Sequence, residues 1–232
     1  MPGFEGIAAV GRSLERLLEF HLAQDPPPIE DTITHAALVR TEDLGALDNG
    51  EAEAFIHPPV LALFLYRVEV NGTMRAAWSG VAHQDGHAHL PLDLHYLLIP
   101  WAAHALHEYR ILGRALQALE DVPILSGPLL DPAARARSAP PGRGRPCEAI
   151  QVCHEHLSTE DTLRVFDSLP VDFKLCLSYV ARVVRIEGRD GAPKRDGSRW
   201  GSLDTGDVPV TTLTTDFKAN VEEEPCILPR ST

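Results

Sequence analysis

Val60-Leu-Ala-Leu-Phe-Leu-Tyr-Arg-Val-Glu-Val70 is a nearly continuous apolar run, closed by the turn pair Asn71-Gly72. A strand covered on both faces reads this way, because neither side of the pleat has to meet water. The next strong stretch, Leu90-Pro-Leu-Asp-Leu-His-Tyr-Leu-Leu-Ile99, has a different pattern. Asp93 and His95 alternate with Leu92, Leu94 and Tyr96, the period-2 signature of a half-buried strand. The alternation points Asp93 and His95 away from the apolar face, where water or a partner would meet them.

Working outward, residues 148–156 and 174–186 read as further strands, the first with Ile150 and Val152 on one face, and residues 33–39 as a short, weak one. Residues 4–24 carry Ile7, Val10, Leu14, Leu17 and Leu18 on one helical stripe, ended by Asp25-Pro26-Pro27-Pro28. A second helix is predicted over 103–120, on Ala105, Tyr109, Leu112, Leu116 and Leu119. A third runs from a cap at Ser158 or Thr159 to Leu169, with Glu160 and Asp161 at its positive end. Residues 41–53 read as an acidic turn region around Asp48-Asn49-Gly50. The sum is an α+β fold: a mixed, mostly antiparallel sheet flanked by two to three helices, with an extended C-terminal arm. The boundary is placed so that 1–188 form the domain and 189–232 the arm, since Gly, Asp, Arg and Pro take over from residue 187 onward.

Composition narrows the function classes. Of the 232 residues, 44% are hydrophobic and 23% charged, which argues against wholesale disorder. The net charge is −12, and residues 1–60 hold eleven acids against three bases. A protein that binds nucleic acid through its overall field should be basic, so no nucleic-acid partner is expected. No run of 18 apolar residues occurs, which excludes a spanning helix and gives no membrane partner. The opening residues have no basic region and break their apolar positions with charge, unlike a secretory signal. Cys147, Cys153, Cys176 and Cys226 show no CxxC pair and read as reduced thiols of a cytoplasmic protein.

The chemistry-bearing motifs are thin. His83, His87 and His89 sit in a Gly-containing stretch, and His154 and His156 share one strand face. A catalytic metal needs about three fixed donors and a rigid second shell, which a loop of this kind does not supply. Solvated histidines are therefore the favoured reading, with no metal and no cofactor, and a small metal-binding module or metal-dependent enzyme on residues 83–89 is the alternative. His104 and His107 fit a wet helix face. GxSxG, HExxH, GxxxxGK[ST] and a strand-following GxGxxG are all absent. Residues 132–146 form a proline loop with Arg135, Arg137, Arg143 and Arg145 and no acid. Those four cations are either a solvated loop or a docking patch for an acidic protein surface, since guanidinium forks pair bidentately with carboxylates. Within the arm, residues 208–215 (Val-Pro-Val-Thr-Thr-Leu-Thr-Thr) suit a strand but have no hairpin partner. Val208, Val210, Thr212 and Leu213 are accordingly expected either to add a strand to another chain's sheet edge, or to remain in a disordered terminus.

Three blocks together carry a resemblance. They are Leu63-Phe-Leu-Tyr-Arg-Val with Met74-Arg-Ala-Ala-Trp78, then Leu90-Pro-Leu-Asp-Leu-His-Tyr-Leu-Leu with Glu108-Tyr-Arg-Ile-Leu-Gly-Arg-Ala-Leu, and finally Leu177-Ser-Tyr-Val-Ala-Arg-Val. In this order they resemble the tail-terminator or cap proteins of phage-tail-like contractile injection systems of the antifeeding-prophage type, over roughly residues 7–188. The resemblance implies a non-enzymatic protein that forms a ring, typically a homo-hexamer. Such a ring sits on the distal end of the inner tube, stops its growth and anchors the last sheath ring. Its partners would be copies of itself, the inner tube protein and the sheath protein. It would assemble in the cytoplasm into a particle, whether released or retained. The acidic stretch 41–53, the arginine–proline loop and the arm match no part of that pattern.

Overall fold

The computed structural model describes residues 4–52, 56–78, 89–131 and 149–187. By its internal contacts the chain divides into a unit of residues 1–192 and a unit of residues 193–232, and the second lies outside the described residues. The elements are α1 (Gly6–Leu22), β1 (His35–Val39), α2 (Thr41–Asn49), β2 (Val60–Val70), α3 (Gly72–Trp78), β3 (His89–Trp101), α4 (Ala105–Asp121), β4 (Ile124–Ser126), β5 (Ala149–His154), α5 (Thr159–Asp167) and β6 (Leu177–Glu187). The strands form one six-stranded sheet in the order β1-β2-β3-β6-β5-β4. Only β1 and β2 are parallel; the other four pairings are antiparallel. The mixed, mostly antiparallel α+β class read from the sequence is the one found. Among the described residues no helix is long and apolar enough to cross a membrane.

Alternation splits the core into two layers. Leu61 and Leu63 of β2 join Leu92, Leu94, Tyr96 and Leu98 of β3, with α1 and α4, on the first face. Val60, Ala62 and Phe64 join Leu97, Ile99 and Trp101, with α2, α5, Ile56 and Val171, on the second. Both layers claim the inner half of β2, which is why residues 60–64 are apolar without a break. Beyond Phe64 the cover ends: β2 becomes half-buried at Leu65 and Tyr66, then exposed from Arg67 to Val70.

The helix α2 stands where an acidic turn was expected. Asp43 accepts hydrogen bonds from the Arg40 backbone N–H at 2.8 Å and from its guanidinium at 3.1 and 3.2 Å, which ties down the first turn. These bonds hold the Asp43 carboxyl below its usual range. Gly50 closes the helix at φ +72°, a left-handed conformation that favours glycine, and Glu51 N–H returns to the Ala46 carbonyl at 2.8 Å. The acids therefore sit on a helix whose Leu44 and Leu47 are buried, and Asn49-Gly50 is its stop signal. At α5 the expected cap is present: Ser158 Oγ accepts from Asp161 N–H at 3.1 Å.

Candidate functional site

Among the described residues, the densest polar cluster lies on the second face, where the apolar cover of β2 gives out. A register shift between Leu65 and Arg67 changes the pleat of β2. It leaves Tyr66 beside the second core layer, and it pairs Arg67 with His95, which lies on that same face of β3. From the other side, Ser178 of β6 and Glu155, one residue past β5, close the cluster; the Glu155 N–H reaches the Ser178 carbonyl at 2.9 Å.

Glu155 is the hub. Its Oε2 accepts from Tyr66 Oη at 2.8 Å, Ser178 Oγ at 2.8 Å and His95 Nδ1 at 2.9 Å, while Oε1 accepts from Arg67 Nη2 at 2.7 Å. A carboxylate only accepts, so the proton on His95 Nδ1 is fixed toward Glu155, and the nearby Arg67 Nη2 at 3.2 Å is a second donor converging on the same acid. His95 Nε2 is buried without a hydrogen bond, and Glu69 Oε2 lies 3.6 Å away. Burial alone would push the Glu155 carboxyl up; the bonds from His95, Ser178 and Tyr66 together outweigh it and hold the group below its ordinary range. Burial pushes Tyr66 up to about 12, so its hydroxyl stays a neutral donor at physiological pH. With four donors on one carboxylate, this cluster is built to tie β2, β3, β6 and the β5–α5 connection together.

A consequence is measurable. Glu155→Ala removes the acceptor of four donors and is expected to destabilise the domain by about 2–3 kcal/mol in urea unfolding at neutral pH. Because the folded-state pKa of Glu155 is depressed, its contribution is present above the unfolded value and is lost as pH falls through the folded one. The gap between wild type and variant should therefore narrow below about pH 4. A gap that keeps its size on acidification would contradict the hub role.

The expectation that His95 faces outward is corrected by this geometry. His95 is 5% exposed, because the segment after β5 folds over it. Asp93 is half-buried and accepts from Asn71 Nδ2 at 3.0 Å, while Asn71 Oδ1 receives the Met74 N–H and so starts α3. Arg135, Arg137, Arg143 and Arg145 lie outside the described residues, as do Val208, Val210, Thr212 and Leu213, and so do His83 and His87. His89 is described: it is buried at the first position of β3. Among the described residues no three His, Cys, Asp or Glu side chains are grouped to hold a metal ion. His104 and His107 stack edge to face at 5.4 Å and line a groove of about 570 Å³ with Trp101 and Lys174. The Lys174 ammonium sits 4.4 Å over the Trp101 ring and 3.9 Å from Asp48.

A helix-covered mixed sheet whose central ionisable cluster is spent on internal bonds defines an α+β packing module. The family model described as the Pvc16 N-terminal domain matches residues 9–196, and the chain belongs to that family. The chain is similar to a chain of a solved structure described as "Cryo-EM Structure of an Extracellular Contractile Injection System, PVC sheath/tube terminator in extended state". The two are 17% identical with a TM-score of 0.48, over 95% of this chain and 65% of that one. The chain thus spans about two-thirds of that neighbour's length, just short of it. No curated protein matches the chain.

Proposed function

We propose that this chain is a non-enzymatic assembly protein that caps the distal end of a contractile injection particle. In this reading copies of the chain form a closed ring, a homo-hexamer, that ends the inner tube and anchors the last sheath ring. Its partners are then the tube protein, the sheath protein and itself, and assembly takes place in the cytoplasm. The observation that carries the reading is the family match over residues 9–196, which takes in all three blocks that resemble tail terminators. Those blocks fall on β2 with α3, on β3 with α4, and on β6, so the likeness follows the framework of the fold. Ring closure suits such a unit, because a heterologous interface repeated around an axis closes without leaving a sticky end.

Negative-stain micrographs of the purified chain, alone and mixed with tube–sheath particles lacking it, test the proposal. Sixfold ring projections, seated at one particle end in the mixture, are expected. A chain that stays monomeric and leaves both particle ends bare would contradict it.

A further inference from the structure

The two halves of β2 differ on the side that faces β1. The parallel pairing with β1 runs from His35↔Val60 to Val39↔Phe64 and stops there. On its other side β2 stays paired with β3 as far as Val70↔Leu92. Residues 65–70 therefore present one backbone edge that no described strand pairs. Val68 and Val70 are 44% and 46% exposed beside it, on the face that bears Leu94 and Leu92. The chain handles its true edge strand otherwise. The outward Leu38 N–H of β1 is held by Glu15 at 3.0 Å, and the His35 ring by Glu19 at 3.0 Å. At the far edge β4 is only three residues long. Short strands and charged covers are the usual protections of a sheet edge. The outer half of β2 is not short, and its two charges, Arg67 and Glu69, pair with each other and with Glu155 and His95 on the second face, so the first-face row of Val68 and Val70 has no charged cover. On the second face the same row opens onto a groove of about 640 Å³ between β2 and α5, with Phe64, Tyr66, Val165 and Leu169 in its walls.

We infer that residues 65–70 of β2 are a strand-addition site whose occupant is residues 208–215 of a second copy of this chain. The inference rests on the ring reading above for its choice of a second copy. Three features of the occupant match the row. Val208 and Val210 share one face at period 2 and would meet Val68 and Val70, while Leu213 falls on the opposite face, toward the groove. Pro209 lacks an N–H, which a sheet tolerates only where that position looks outward, as on a newly added edge strand. Twenty residues, 188–207, separate Glu187 from Val208. At roughly 3.3 Å per residue they reach at most about 65 Å, more than the width of a domain this size. Backbone bonds would supply affinity and the valines the register.

The test uses full-length chains. Val68→Cys protein mixed with Val210→Cys protein under mild oxidation is expected to give a disulfide-linked pair in about tenfold excess over either variant alone. Each variant alone sets the background of the four native cysteines. A yield equal to that background overturns the inference. Hydrogen exchange gives the second readout. Amides of residues 65–70 should exchange about tenfold slower in the assembled wild type than in a Val210→Asp, Leu213→Asp double variant. Equal exchange overturns the site, and protection that persists in diluted monomer assigns the strand to the same chain and overturns the second copy. Rings without the linked pair sink this site and leave the ring standing, whereas monomers without it sink both.

Discussion

Leu94→Ala is expected to cost the domain about 3–4 kcal/mol. Leu94 is fully buried, and its backbone is flanked by Val68 of β2 and Ala181 of β6. Its side chain belongs to the layer that α1 and α4 cover. Strands on both sides and helices above hold the surroundings in place, so the lost methyl groups leave a cavity that does not collapse. Large-to-small changes at such sites cost about 2–5 kcal/mol, against a total stability of about 5–15 kcal/mol. Urea unfolding should show a lowered midpoint at unchanged slope. Val68→Ala, one strand away at an exposed position, is the control and should cost under about 1 kcal/mol. Equal losses at the two positions would mean that the first-face core is not centred on β3.

That contrast also marks where sequence reading succeeds and where it stops. The unbroken apolar stretch 60–64 carries the information that two layers meet on β2, and the structure has both. The stripe of α1 is legible for the same reason, since that helix has one apolar face to bury. On α4 only the later part of the expected stripe packs: Leu112 and Leu119 are buried, but Ala105 and Tyr109 are exposed, and Ile111, Ala115 and Ala118 complete the buried face. The α2 helix escaped because five of its nine residues are charged or polar and its apolar contribution is chiefly Leu44 and Leu47. Its caps, Asp43 and Gly50, were the available signal. Strand β4 is too short to leave a period.

The Glu155 cluster was out of reach for a different reason. Alternation along β3 shows that His95 leaves the first apolar face, but not what arrives from the far side. Its partners lie 28 residues away at Arg67 and 60 away at Glu155, and Tyr66 and Ser178 are separated by 112. Only the antiparallel placement of β6 between β3 and β5 brings them together. The family, by contrast, was legible, because its blocks are the strands and the helix that form the middle of the sheet and its cover.

A tube made of identical rings stacked head to tail exposes the same growing surface after every addition, so nothing in the tube itself sets its end. A terminator must fit that surface on one side and offer no copy of it on the other. Particles from a strain lacking this chain, measured by electron microscopy, test the account most directly. The account predicts tubes of scattered, uncontrolled length, or sheaths that detach or contract early for want of an anchor. Particles of normal length with their sheath retained would contradict it.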